Sequence, residues 1–402
     1  MRTGKRTRIR ILAAVVPALL ASLVALPPVH GSDFIDPSLT TIVRPRTAAL
    51  GGPYSTWDEG IATLFANPAG FALSEQEFQI TELSTWVSGP VFSLSSAIAE
   101  ALDGDPEDVL TTPEVTDLTR NLYTRVGLTG PVALGFVGDG IGFGVFSDGG
   151  LGIETVSGRT LEISAEERML ALGGVGFPMP LPRGTPGRLY GGVLMKGFMH
   201  GRTSFREDLL DIPDLIDDAD FGRFTDEPFV LTTGVGFDLG MRYDRSERLA
   251  YAVSAQNVLA PAVETSYETL DAFLDGENAT DRERLWAPLE LNLGVRYRPE
   301  APERLSGVSR ATLYFDYRDA VDFLVRPDET DNIALKPALG VEVVMLRVLA
   351  VRAGFARGLP AAGFGIDAGP VEVNTAVFGS ELSGEPGLRS VFNAMLGVRV
   401  RL

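Results

Sequence analysis

The sequence predicts an all-β fold, a transmembrane antiparallel β-barrel of about 14 strands with an N-terminal hatch or plug and helical segments in its outer loops. Three observations predict it. From Ser390 to Leu402, Phe392, Ala394, Leu396, Val398, Val400 and Leu402 fall on one side of an extended chain. Asn393, Met395, Gly397, Arg399 and Arg401 fall on the other. Successive strand side chains point to opposite faces, so this strand has an apolar wall and a polar wall. The chain also opens with an export signal, and the same alternation recurs along its length.

The export signal is read from Arg2, Lys5, Arg6, Arg8 and Arg10, followed by an apolar run from Ile11 to Leu26. Val29 and Gly31 suit a cleavage site before Ser32. The run is short for a membrane helix and Pro27–Pro28 end it. Residues 1–31 carry five basic and no acidic residues, which leaves 30 Lys+Arg against 53 Asp+Glu in the remainder. So acidic a chain repels nucleic acid, and no nucleic-acid partner is expected. With no cysteine there is no disulfide and no thiol chemistry.

Residues 32–74 precede the first good strand and form the expected hatch, and residues 75–402 form the barrel. Strands are expected roughly at 75–87, 126–137, 140–147, 166–177, 188–203, 229–243, 248–258, 287–298, 310–319, 334–346, 348–358, 361–369, 370–380 and 389–402. Connections after strands 1, 3, 5, 7, 9 and 13 are expected to be long: 88–125, 148–165, 204–228, 259–286, 320–333 and 381–388. Those after even-numbered strands are mostly short, and the connection after strand 11 is a short exception. Barrels have short periplasmic turns and longer outer loops, so the asymmetry sets the orientation. A soluble antiparallel β-protein also alternates. Repeated long strands, without helices to cover the sheet faces, favour the barrel. Tyr243, Tyr297, Tyr251 and Tyr317 fall on outward faces, and the first two sit at strand ends, as interfacial aromatics do.

Within the loops, Val91–Leu102, Pro106–Tyr123 and Arg206–Phe224 read as amphipathic, either lining a hydrophobic vestibule or packing on one another as a cap. No catalytic constellation is present, and no enzyme activity or cofactor is expected. His200 is the only histidine beyond the signal, and no nucleophile motif lies near it. That scarcity also excludes an ordinary His/Cys zinc site. Glu207, Asp208, Asp211, Asp214, Asp217, Asp218 and Asp220 lack the spacing of an EF-hand loop and read as a solvated acidic loop. No metal site is expected.

Charges on the expected lumen face are Asp238, Arg242, Glu290, Arg296, Asp316, Arg318, Lys336, Glu342, Arg352, Asp367, Glu372, Arg399 and Arg401. Both signs are present, so they are expected to pair with one another and with a plug. A polar conduit is the alternative.

Thr47-Ala-Ala-Leu-Gly-Gly52 and Asp58-Glu-Gly-Ile-Ala-Thr-Leu-Phe-Ala-Asn-Pro-Ala-Gly70 carry a family resemblance. They resemble the N-terminal hatch of FadL-type long-chain fatty-acid transporters and their PorV-like relatives, where an Asn-Pro-Ala-Gly motif precedes the first barrel strand. Here that motif is Asn67, Pro68, Ala69 and Gly70. Val253-Ser-Ala-Gln-Asn-Val258, Leu349-Ala-Val-Arg-Ala-Gly-Phe355 and Gly363-Phe-Gly-Ile-Asp367 also match. The resemblance implies a plugged 14-stranded barrel in the outer membrane of a Gram-negative-type bacterium. It also implies passage of hydrophobic molecules towards a lateral exit or the periplasm. The expected partners are outer-membrane lipids and a hydrophobic ligand such as a long-chain fatty acid. For a PorV-like member, the alternative is a secretion-complex partner served as a non-transporting shuttle or scaffold. The chain departs from many barrels in ending in Leu402, not an aromatic residue, and its middle third matches no ligand site of the family.

Overall fold

The computed structural model describes residues 34–91, 93, 96, 112–113, 122–157, 160–211, 221–300 and 307–402. The signal reading at 1–31, most of the helical reading of 88–125 and the acidic residues 214–220 lie outside the described residues.

Fourteen antiparallel strands close into a barrel. They are β1 (Glu77–Ser88), β2 (Tyr123–Gly138), β3 (Ile141–Ser157), β4 (Thr160–Met179), β5 (Arg188–Asp208) and β6 (Phe229–Asp244). Next come β7, in two segments (Leu249–Leu259 and Pro261–Tyr267), and β8, also in two (Asp281–Trp286 and Glu290–Tyr297). The remainder are β9 (Val308–Tyr317), β10 (Pro337–Met345), β11 (Leu349–Ala356), β12 (Leu359–Asp367), β13 (Val371–Glu381) and β14 (Ser390–Arg401). Each strand pairs with its sequence neighbours. Closure comes from β14 on β1, with Leu83 opposite Val398 and Val87 opposite Ala394. Closure leaves no edge at that seam.

Alternation separates the outward face of the wall from the lumen face. Phe143, Met195, Val235, Phe392 and Leu396 stand outward and exposed, while Asn393, Met395 and Arg399 point inward and are buried. The core therefore lies inside the barrel, between its wall and the N-terminal segment. Tyr243 and Tyr251 stack on the outer surface with ring centroids 6.4 Å apart. Among the described residues no helix is long and apolar enough to cross a membrane.

Three boundaries depart from expectation. Residues 148–165 are not a loop: β3 and β4 stay paired from Ile141–Val175 as far as Ser157–Thr160. Both faces of this extension are polar or mixed, as with the cross-strand pair Asp148–Arg168, so the polarity contrast that marks the other strands disappears there. The connection after the fourth strand is 180–187, shorter than the expected 178–187, because β4 runs on to Met179. Finally, β7 and β8 are interrupted. Between the pairs Phe237–Leu259 and Leu239–Ala255, residues 256–258 face the single residue Asp238. Asn257 takes a left-handed φ of 55° there, and its N–H donates to Asp238 Oδ1 at 2.8 Å. Such a bulge bends the strand and breaks the ladder locally. As a result the outer half of β6 pairs with Pro261–Tyr267 and its inner half with Leu249–Leu259.

Candidate functional site: a plugged lumen and an apolar groove in its wall

Residues 34–76 lie inside the barrel, as glycines around the wall reveal. A β carbon on Gly192 of β5 would sit 2.5 Å from Pro68 O; one on Gly240 of β6, 2.9 Å from Ala69 N. On Gly354 of β11 it would sit 2.5 Å from Gly51 N; on Gly397 of β14, 2.8 Å from Pro45 Cγ. Only residues without a side chain permit so close a backbone approach.

The Asn67–Gly70 turn is fully buried. Asn67 Oδ1 accepts from Ala69 N at 2.9 Å, which caps the short 3₁₀ helix Pro68–Ala72. Its amide donates to Ser55 O at 2.8 Å and to Val253 O on β7 at 3.2 Å. One side chain thus closes the turn, joins two parts of the plug and ties the plug to the wall. Gly70 has no room for a β carbon, which would fall 2.6 Å from Thr63 Cγ2.

The plug meets the wall differently on two flanks. Towards β6–β10 the contacts are ionic and hydrogen-bonded. Asp58 accepts from Arg242 Nη2 at 2.7 Å, from Arg296 Nη1 and from Arg298 Nη2 at 3.2 Å. Glu59 accepts from Arg298 and Arg310, both at 2.6 Å, and from the plug's own Arg46 at 3.0 Å. Arg46 reaches on to Glu342 at 3.0 Å. Burial pushes the Asp58 carboxyl up, but the guanidinium groups of Arg242, Arg296 and Arg298 outweigh it and hold its pKa well below the usual carboxylate range. Ser55 donates from N (2.7 Å) and Oγ (2.6 Å) to Asp316. Tyr54 stacks on Tyr314, with centroids 4.9 Å apart.

Towards β2–β5 the plug presents Ile61, Phe65 and Phe71 to Val137, Phe146, Leu170, Leu172, Leu194 and Phe198 in one buried apolar cluster. Phe65 meets Phe146 edge-on at 5.0 Å.

Above the plug lies an outer cavity of about 1020 Å³, and on the turn side an inner one of about 800 Å³. Among the described residues the outer cavity has a mixed lining, with charged ladders from β2–β5 along one side of it. Arg168 pairs with Asp148 at 2.5 Å, Arg125 with Glu166 at 2.8 Å and Arg202 with Glu162 at 2.5 Å. His200 lines the same cavity, 3.4 Å from Glu166. Glu264 and Glu283 lie directly opposite each other in register, and both line the cavity. Glu264 accepts from Thr232 Oγ1 at 3.2 Å; Glu283 has no ion pair among the described residues.

An apolar groove lies in the wall. A groove of about 630 Å³ crosses the outer surface of β3–β7, lined by Met169, Gly197, Met199, Val235 and Pro261 facing out and by Leu170, Phe198 and Ala262 behind them. Those last three also belong to the buried cluster against the plug. The cluster in turn includes Ile35 and Leu285, which line the outer cavity. Apolar contact is therefore continuous from outer cavity to outer wall.

The remaining sequence-predicted charges fall as follows. Asp238 pairs with Lys196 at 2.9 Å. Arg318 donates to Gly51 O at 2.7 Å, and Lys336, just before β10, to Asp319 O at 2.8 Å. Arg352 donates to Glu342 at 2.7 Å. Arg399 binds Glu372, and Arg401 binds Glu77 at 3.1 Å and pairs with Asp367 at 2.5 Å. Glu290 is half-buried in β8, on the face that carries Arg296. Sequence reasoning missed the plug's own charges, Arg44, Arg46, Asp58 and Glu59, and the groove. The missed signal was Asp58-Glu59 inside a segment expected to enter a lumen rich in inward arginines.

No family model matches the chain, and no curated protein matches it. Similar solved structures include the CymD monoaromatic hydrocarbon channel, 11% identical, with a TM-score of 0.45 over 89% of this chain and 96% of that one. The P. putida toluene transporter TodX is 12% identical, with a TM-score of 0.39 over 88% and 95%. A Pseudomonas aeruginosa FadL homologue is 10% identical, with a TM-score of 0.26 over 88% and 97%.

Proposed function

We propose that this chain is a FadL-like, non-enzymatic outer-membrane channel for passive uptake of hydrophobic small molecules. The observation that carries this reading is that Leu170, Phe198 and Ala262 line both the buried apolar cluster and the outward groove. A ligand enters the outer cavity past Ile35 and Leu285, displaces the apolar flank of the plug, and leaves sideways between Phe198 and Ala262. Long-chain fatty acids are one such class. Neutral compounds suit the mouth better, because an ionised carboxylate entering it meets Glu264 and Glu283.

The test is uptake of Nile red by intact Gram-negative cells that express the protein, set against cells that lack it. Gly197 faces out with nothing within 4 Å of a built β carbon, so Gly197→Leu fills the groove without disturbing the wall. Faster uptake with the native chain, lost in Gly197→Leu, is expected. Uptake equal to that of cells without the protein overturns the channel reading. Co-purification with a secretion complex, free of lipid, would then favour a shuttle or scaffold. Native uptake retained by Gly197→Leu places the exit elsewhere.

A further inference from the structure

We propose that the plug opens as a hinge, with its Asp58–Glu59 flank staying fixed to β6–β10 while its Ile61–Phe71 flank swings away from β2–β5. The inference rests on the channel reading above and adds which half of the plug moves. Its basis is what a hydrophobic ligand can replace. Parting Phe65 from Phe146, or Phe71 from the β3–β5 wall, exposes apolar surface, and an apolar ligand covers that surface again at little cost. Parting Asp58 from Arg242, Arg296 and Arg298 leaves buried charge without a partner, and an apolar ligand offers nothing in exchange. The side chain of Arg242 is fully buried, so water does not stand ready to replace Asp58.

The two flanks differ in their polar anchoring as well. For residues 61–71 the polar bonds to β2–β5 reduce, among the described residues, to one backbone bond from Gly140 N to Phe71 O at 3.2 Å. For residues 51–59 the bonds to the β6–β9 wall involve two carboxylates, five arginines of the wall and Asp316. The Asn67–Val253 and Ser254–Ala66 bonds place the pivot on β7, beside the turn at Pro68.

The absence of cysteine from the chain makes the test direct. Ser55→Cys with Asp316→Cys staples the ionic flank, where the native side chains touch at 2.6 Å. Phe71→Cys with Gly142→Cys staples the apolar flank, where a β carbon on Gly142 lies 2.8 Å from the Phe71 ring. Nile red uptake is measured in intact cells before and after reduction, and recovery on reduction shows that the barrel itself is folded. Expected is uptake abolished by the oxidised Phe71/Gly142 staple, restored on reduction, and left near the native level by the oxidised Ser55/Asp316 staple. Block by both staples means the plug moves as one body and overturns the hinge. So does block by the Ser55/Asp316 staple alone, or by neither. Native protein that takes up no dye overturns the channel reading and the hinge with it.

Discussion

Phe198 lies across Gly234 on the neighbouring strand, so that a β carbon on the glycine would sit 2.8 Å from Phe198 Cε1. The ring belongs both to the buried cluster and to the lining of the wall groove, and the glycine makes room for it. Gly234→Ala is expected to cost about 1–3 kcal/mol through overpacking. Phe198→Ala is expected to cost about 3–5 kcal/mol through loss of a buried ring. Because the added methyl occupies space the ring vacates, the double variant should be more stable than the sum of the two predicts. Urea unfolding of the barrel in lipid bilayers checks this; strict additivity would show that the ring and glycine are not in contact.

Gly192 and Gly173 form a second contrast, between a glycine the plug requires and one it does not. A β carbon on Gly192 would enter the backbone at Pro68–Ala69, whereas one on Gly173 meets nothing within 4 Å. Gly192→Ala should shift the Asn67–Gly70 turn and raise protease sensitivity of residues 61–71, leaving the barrel folded. Gly173→Ala should stay within about 0.5 kcal/mol of the native chain. Limited proteolysis of the folded barrel, followed by mass spectrometry, separates the two. Equal protection in both variants would mean that the plug does not rest on β5.

The wall was legible in the sequence wherever an apolar outward face alternates with a polar lumen face. That is why β14, with Phe392 and Leu396 outward and Arg399 inward, was placed closely. The outer extension of β3 and β4 was not legible, because around Asp148, Glu154 and Glu162 the two faces of the strands do not contrast in polarity. The bulge at Asn257 was hidden for another reason. It depends on Asp238, distant in sequence, accepting the Asn257 N–H, and periodicity reports nothing about such a partner. The site was half legible. Inward arginines such as Arg242 and Arg296 stood out by alternation, but their acceptor Asp58 lies in an irregular segment without a period. The groove could not be found at all, since it arises where Gly197, Val235 and Pro261 of three different strands meet.

Asp58→Asn should loosen the plug far more than it loosens the barrel. The variant keeps the shape and removes the charge that faces Arg242, Arg296 and Arg298. Breaking a buried ionic cluster from one side costs about 3–5 kcal/mol, because the remaining charges stay buried. Hydrogen exchange at residues 51–59 should quicken strongly, while exchange in β1–β14 changes little. Replacing Arg298, which is more exposed than Arg242 or Arg296, by glutamine should have a smaller effect. Equal effects from Asp58→Asn and Arg298→Gln would show that Asp58 is not the hub of the flank.

Acid should release the same flank, and the direction follows from the Asp58 carboxyl. Its pKa in the folded chain is held below the ordinary 3.8 by the arginines around it. A carboxyl depressed on folding contributes its full stabilisation above the unfolded value, and that contribution is lost as pH falls through the folded one. The loss of protection of residues 51–59 that depends on Asp58 should therefore begin only in stronger acid, below about pH 4. The Asp58→Asn variant, having no carboxyl to titrate, should lose that acid-dependent step and start from the low level. A midpoint between roughly pH 5 and pH 7 in the native chain would assign the release to a group other than Asp58.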